Sequence, residues 1–285
     1  MSLVAILGAG EIGGATARAL ASRGRVAAIR LIDDQSTVAA GKALDLRQSS
    51  PIIGSDTRIE GFTDIASATG ADAIVLADAA FGAEWSGEVG LALLRRLNRL
   101  GCFERSVVIC AGAGHLGLLQ QGFDELGLPR SRAVGSAPEA FAAVTRSLVA
   151  IEARGSGSQV SLAVLGHPPA RVVIPWAEGS IAGHSISSLL TPPQLNLVEA
   201  RMKALWPPGP TTLGTAAAVF CEAVALGSRR LLSAFVSLDR DNGTKAPVCA
   251  WPVTIGPAGL ERVTRPSLTS RDRVVIDEVL GNEAV

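Results

Sequence analysis

Three glycines near the N-terminus and one carboxylate after them have the types and spacing to hold a nucleotide. Gly8, Gly10 and Gly13 stand in G-x-G-x-x-G order within Val4-Ala5-Ile6-Leu7-Gly8-Ala9-Gly10-Glu11-Ile12-Gly13. The apolar residues ahead of Gly8 read as a buried parallel strand, and the glycines then open a helix. Gly8 permits a tight turn, Gly10 lets a pyrophosphate approach the backbone, and Gly13 lets helix and strand pack closely. The helix start, from Glu11 and Ile12 onward, supplies unpaired N–H groups and a partial positive charge for phosphates. Asp33 ends a second apolar run, Ala27 to Ile32, twenty residues beyond Gly13. There a carboxylate can accept hydrogen bonds from both ribose hydroxyls and repel a 2′-phosphate. Strand, glycines, helix and acid in this order point to a dinucleotide, with NAD favoured over NADP. The alternative is a glycine-rich strand–helix turn that binds nothing.

The elements around this turn suggest two domains. Apolar runs at Ala73 to Ala77, Ser106 to Cys110 and Arg132 to Ser136 alternate with helical segments around Gly41 to Leu46 and Leu91 to Leu100. Such alternation predicts a doubly wound parallel sheet. Beyond it, a helix near Glu139 to Ala153 leads to strands at Gln159 to Leu165 and Arg171 to Pro175. Helices follow at Leu195 to Leu205 and Thr215 to Leu226, then strands at Leu232 to Leu238 and Val248 to Ile255, and a helix from Ser270. Turns separate these later strands more than regular crossovers do, so an α+β domain is expected. The division falls at Ser136, giving domains 1–135 and 136–285.

Composition narrows the classes. The 285 residues are 48% hydrophobic and 18% charged, with 26 basic and 26 acidic side chains. That balance gives no electrostatic reason to expect nucleic acid or an anionic membrane as partner. Cys102, Cys110, Cys221 and Cys249 show no zinc spacing, and the chain has three histidines, so no metal site is expected. No apolar run approaches the ~20 residues of a membrane span. The chain enters a strand at once, leaving no room for a signal peptide, so a cytoplasmic, reduced, soluble protein is expected.

The order of motifs resembles the NAD-dependent lactate/malate dehydrogenase superfamily over nearly the whole chain. The matching pieces are Gly8 to Gly13, Leu31-Ile32-Asp33, Gly41 to Leu46, Ile74 to Ala77 and Val134-Gly135-Ser136. Val164-Leu165-Gly166 with its following histidine, Ile174-Pro175-Trp176 and Trp251 to Gly256 complete the set. The resemblance implies a Rossmann-type NAD-binding domain, an α+β substrate domain, and subunits associating as homodimers or homotetramers. It also implies hydride transfer between a nicotinamide and a 2-hydroxy or 2-keto acid. In that chemistry a histidine moves the hydroxyl proton, a carboxylate orients it, and arginines hold the substrate.

This chain departs from that substrate machinery. The family's mobile loop, approximately A-G-x-P-R-x-P-G-x-S-R-x-x-L, aligns with Ala77 to Gly90, where Phe81 and Gly87 take the two arginine positions. Glu84 and Glu88 in that stretch would repel a dicarboxylate. The N-P-x-D turn becomes Ala111-Gly112-Ala113-Gly114, and the L-D-x-x-R helix becomes Ala140 to Val144. Glu139 and Arg146 are each displaced by two residues, about 200° around a helix. The G-E-H-G-D-S segment becomes Gly166-His167-Pro168-Pro169-Ala170-Arg171, so His167 is either a shifted proton carrier or a turn cap.

Weaker candidates remain. His115 could face the nicotinamide or simply begin a helix, His184 reads as solvated, and Ser136 and Thr212 could contact ligand or cap helices. Trp85 could cover a pocket or anchor its loop. Asp78 ends a parallel strand, pointing by topology to the ligand crevice as a candidate general base. The combined expectation is an NAD-binding oxidoreductase with a degenerate 2-hydroxy-acid site, acting on an unknown small molecule. The alternative is an inactive dinucleotide-binding sensor or partner subunit.

Overall fold

A computed structural model describes residues 2–239 and 245–281. In chain order, β1 (Leu3–Leu7), α1 (Glu11–Arg23), β2 (Ala28–Ile32), α2 (Ser36–Ile53) and β3 (Arg58–Phe62) come first. Then follow β4 (Ala73–Leu76), α3 (Gly87–Arg99), α4 (Cys102–Arg105), β5 (Val107–Cys110), α5 (His115–Glu125) and β6 (Ala133–Gly135). The next stretch holds α6 (Ala137–Glu152), β7 (Val160–Ser161), β8 (Leu165–His167), β9 (Arg171–Val173), β10 (Ser180–Ile181), β11 (His184–Ser185) and α7 (Ile186–Leu189). The last elements are α8 (Pro192–Ala204), α9 (Pro210–Leu226), β12 (Leu231–Asp239), β13 (Lys245–Gly256), β14 (Gly259–Val263) and α10 (Ser270–Leu280).

The chain divides into two compact units. The first comprises Met1–Ala137 with Gly209–Arg230 and Thr254–Arg262, and the second Pro138–Pro208, Leu231–Val253 and Val263–Val285. The first unit therefore takes back α9 from the later chain. A contiguous reading of the sequence had no local signal for that return, because a helix's amphipathic pattern does not name its partner.

In the first unit the strand order is β3-β2-β1-β4-β5-β6. The pairs are parallel throughout, with Leu7 opposite both Ile32 and Leu76. Central β4 and β5 are buried at every residue, which is why they read as unbroken apolar runs rather than alternating ones. This is the Rossmann-type doubly wound sheet. Helix α9 crosses α1 at close range: a Cβ on Gly214 would collide with Ala15 and with the backbone of Ile12 and Thr16. Only a residue without a side chain permits that backbone approach.

The second unit is mixed. It holds the strand order β12-β13-β8-β9 and a separate sheet β11-β10-β7, with β8–β9 and β8–β13 antiparallel. Its apolar cluster joins Val149 and Ala150 of α6 to Val160, Ile181, Ile186, Leu190 and Val198. The single strand expected over Gln159 to Leu165 is instead two short ones separated by Leu162-Ala163-Val164, which belong to different sheets. Helices α8 and α9 begin earlier than expected, at Pro192 and Pro210, because proline suits the first helical turn, where its missing N–H is not needed. Among the described residues no helix is long and apolar enough to cross a membrane.

Candidate functional site

The C-terminal edge of the parallel sheet gathers the chemistry of the first unit. Strand β1 runs straight into the glycine turn, and Gly8 takes φ of 102°, a conformation that side chains rarely tolerate. A Cβ on Gly13 would collide with the Gly8 carbonyl, so α1 can start this close to its own strand only with glycine there. Gly10 is the N-cap of α1, and no side chain of its own caps that helix. The first amides of α1 thus need an acceptor from elsewhere.

That acceptor is Asp78. Its Oδ2 accepts from the Ile12 amide at 3.1 Å and its Oδ1 from the Gly13 amide at 2.9 Å. The Gly10 amide donates to the Asp78 carbonyl at 3.0 Å. A Cβ at Gly10 would run into the Asp78 carboxylate, so the space that this glycine opens is filled by the chain's own acid. Asp78 is 7% exposed. The general-base reading of Asp78 is therefore corrected: both of its oxygens accept from amides at a helix N-terminus. Its side chain occupies the space over the glycine turn.

Asp33 stands beside it. Buried at the end of β2, its Oδ2 accepts from the amides of Ala9 and Ala80 at 2.7 and 2.8 Å. Its Oδ1 accepts from the Gln35 amide at 3.0 Å. Burial works to raise its pKa, but those amides outweigh it and hold the carboxyl below the usual aspartate value. Asp34, hydrogen-bonded to Asp33 and repelled by its charge, moves the other way. Glu11, at the first position of α1, is exposed. Lys42 on α2 donates to the carbonyls of Ala9 and Gly10 at 2.6 and 2.8 Å, tying the outer face of the turn.

The segment after Asp78 is stitched across the same edge. Gly82 donates to the Ala79 carbonyl at 3.0 Å, and Asp78 and Glu84 form a backbone bridge. At the tip, Phe81 is 92% exposed with φ of 58°, a strained position for a bulky residue. Glu84 then caps the approach to α5, accepting from the amides of Ala113 and Gly114 at 2.9 and 2.8 Å. His115 is fully buried and accepts from the Gly112 amide at its Nδ1. Burial pushes its pKa down to about 4, against the opposing pull of the Trp85 backbone and the Asp78 charge, so it is neutral at pH 7. Trp85 Nε1 and Ser136 Oγ are buried without hydrogen-bond partners. Such orphaned groups are uncommon in folded proteins.

In the second unit, Glu139 and Arg146 of α6 meet each other. Arg146 Nη2 donates to Glu139 Oε1 at 2.7 Å, and the Ser233 amide to Oε2 at 2.9 Å. Seven residues are two helical turns, a gap that two long side chains can span. The displaced acid and arginine thus neutralise one another. His167, at the end of β8, places Nε2 at 2.7 Å from the Val248 carbonyl. A carbonyl only accepts, so Nε2 is the donor in this contact. His184 is exposed, and Thr212 lies inside the first turn of α9 rather than ahead of it.

The structure thus brings Gly8, Gly10, Ile12, Gly13 and Asp33 together around one turn. It adds Lys42, Asp78 and Glu84, whose contacts sequence reasoning missed. The only local signal for Lys42 is its rarity, since lysine occurs at three positions in the chain. A compact ammonium can reach two adjacent carbonyls more readily than a planar guanidinium.

Residues 2–95 match the family described as lactate/malate dehydrogenase, NAD binding domain. The malate dehydrogenase of Thermomicrobium roseum is 27% identical over 96% of this chain and 93% of its own length. That of Thioalkalivibrio sulfidiphilus is 27% identical over 99% and 97%. Among solved structures, malate dehydrogenase from Aeropyrum pernix superposes with a TM-score of 0.85 at 21% identity, covering 98% of this chain and 95% of that one. Lactate dehydrogenase from Cryptosporidium parvum gives 0.84 at 21% identity, with the same coverage. These structures share the fold. The glycine turn, the sheet order and the likeness over nearly the whole chain agree: residues 2–95 match the lactate/malate dehydrogenase NAD-binding domain, and the whole chain is similar to malate dehydrogenases in sequence and to malate and lactate dehydrogenases in fold.

Proposed function

We propose that this chain is an NAD(H)-binding oxidoreductase of the lactate/malate dehydrogenase type whose 2-hydroxy-acid site is degenerate. The observation that carries the reading is the cradle itself: the amides of Ile12 and Gly13, opened by Gly8 and Gly10, already hold an anion. A carboxylate there can stand in for a phosphate, which supports a donor set suited to one. Gly8 to Gly13 would hold the pyrophosphate and Asp33 the adenosine ribose, with a nicotinamide supplying hydride chemistry when bound. Asp33 and Asp34 would repel a 2′-phosphate, favouring NAD over NADP.

The substrate side supports no ordinary malate or lactate turnover. Phe81 and Gly87 stand where the family carries arginines, and Arg146 is already paired with Glu139. Losing a preorganised donor to a developing charge costs on the order of 100- to 1,000-fold in rate. His167 is the residue proposed to move a proton. Homodimers or homotetramers are proposed as the working assembly, which light scattering on a sizing column would test.

Fluorescence titration with NADH and NADPH tests the reading. Saturable NADH binding, weaker for NADPH, is expected, and Asp33→Ala should weaken NADH more than tenfold while a thermal melt reports its fold. Unchanged affinity in a folded Asp33→Ala protein would sink the ribose assignment. No malate-dependent NADH production above blank is expected, and robust turnover would overturn the degenerate-site reading. A second reading, an inactive dinucleotide-binding sensor or partner subunit, is favoured by Glu84, which spends its charge on the α5 amides. It predicts NADH binding with no turnover of any hydroxy or keto acid.

A further inference from the structure

We propose that Asp78 sets the dinucleotide affinity of this turn: its carboxylate holds the Ile12 and Gly13 amides that a pyrophosphate needs, so a dinucleotide binds only as Asp78 leaves. The inference rests on reading the glycine turn as a dinucleotide site, and it assigns that site a built-in competitor.

Four observations converge. Both Asp78 oxygens are satisfied by α1 amides, at 3.1 and 2.9 Å. The cavity that Gly10 leaves open is filled by the same carboxylate. The segment carrying Asp78 is fixed at both ends: Asp33 Oδ2 accepts from the Ala80 amide at 2.8 Å, and Glu84 caps the amides of Ala113 and Gly114. Finally, Lys42, the cation that meets the turn among the described residues, is spent on the carbonyls of Ala9 and Gly10. A pyrophosphate arriving at this turn meets the Asp33 and Asp78 carboxylates and must displace Asp78 from its two hydrogen bonds. Glycine holds the equivalent place in the family's A-G-x-P-R loop, and it presents no competing anion.

Asp78 is here an affinity-determining residue and takes no part in proton transfer.

The test is an NADH titration, by fluorescence or calorimetry, on the full chain and on Asp78→Gly and Asp78→Asn, with a thermal melt of each. Asp78→Gly is expected to bind NADH at least tenfold more tightly, and Asp78→Asn at least threefold, because it keeps the shape and loses the charge. A purely structural cap would give the opposite sign: removing it would loosen both the fold and the ligand. Equal or weaker NADH binding by a folded variant, with the parent protein binding NADH, overturns the competitor and leaves the dinucleotide site standing. Binding by none of the three proteins overturns both. Should Asp78→Gly fail to fold, Asp78→Asn decides alone by the same criterion.

Discussion

The two units each bury a carboxylate against backbone amides, and they balance its charge in different ways. At the glycine turn, Asp78 sits on the amides of Ile12 and Gly13, and among the described residues no cation pairs with its oxygens. In α6, Glu139 accepts from the Ser233 amide and from the Arg146 guanidinium at 2.7 Å. The first arrangement is an anion held by preorganised dipoles, which serve any anion of similar size. The second is a closed ion pair, which has no reason to exchange. The difference lies in what balances the carboxylate: Asp78 rests on amides that another acceptor could use, whereas Glu139 is closed by a guanidinium.

The largest test breaks the closed pair. Glu139→Ala should cost about 3–5 kcal/mol in urea unfolding, because Arg146 would stay partly buried without its partner. A cost below about 1 kcal/mol would place that pair with ordinary surface ion pairs. Next comes the acid response of the edge that carries Asp78. His115 has a folded pKa of about 4 against the ordinary 6.5, so the unfolded chain takes up its proton first as pH falls. Its contribution is complete above pH 6.5 and is lost between pH 6.5 and 4, about 3 kcal/mol in all. His115→Gln should flatten that window, and an unchanged pH profile of unfolding would show the ring to be accessible to water.

Smaller effects sharpen the contrast at the open site. Asp78→Asn should lower stability by about 0.5–2 kcal/mol, the range for losing a charged acceptor at a helix N-terminus. Its gain in NADH affinity should accompany that loss, whereas Glu139→Gln should change stability alone. The smallest effect is expected for Glu84→Gln, about 0.5–1 kcal/mol, since an amide oxygen can still accept from Ala113 or Gly114. A Glu84→Gln loss larger than that of Asp78→Asn would reverse the ranking of the two caps.

Much of the candidate site could be read along the chain because its parts are local. Glycine spacing, the apolar runs of β1, β2, β4 and β5, and an acid closing β2 are properties of neighbouring residues. The failures also have local causes. Leu162-Ala163-Val164 is apolar and reads as a continuous strand, yet the chain there crosses from one sheet to another. Pro192 and Pro210 look like breaks, yet each opens a helix.

By itself the sequence determined the parallel strands, the glycine turn and the presence of Asp33 at its mouth, since periodicity and backbone freedom act over a few residues. Only the tertiary structure decided what Asp78 does. Its partners lie 65 and 66 residues away, brought beside it because β4 pairs with β1 and sets Leu76 opposite Leu7. The same holds for α9, whose Gly214 has meaning only against α1, and for Arg146, whose partner choice needs the folded helix. Local sequence fixes conformation through short-range sterics, whereas the fate of a charge depends on which distant dipole or countercharge the fold brings within 3 Å.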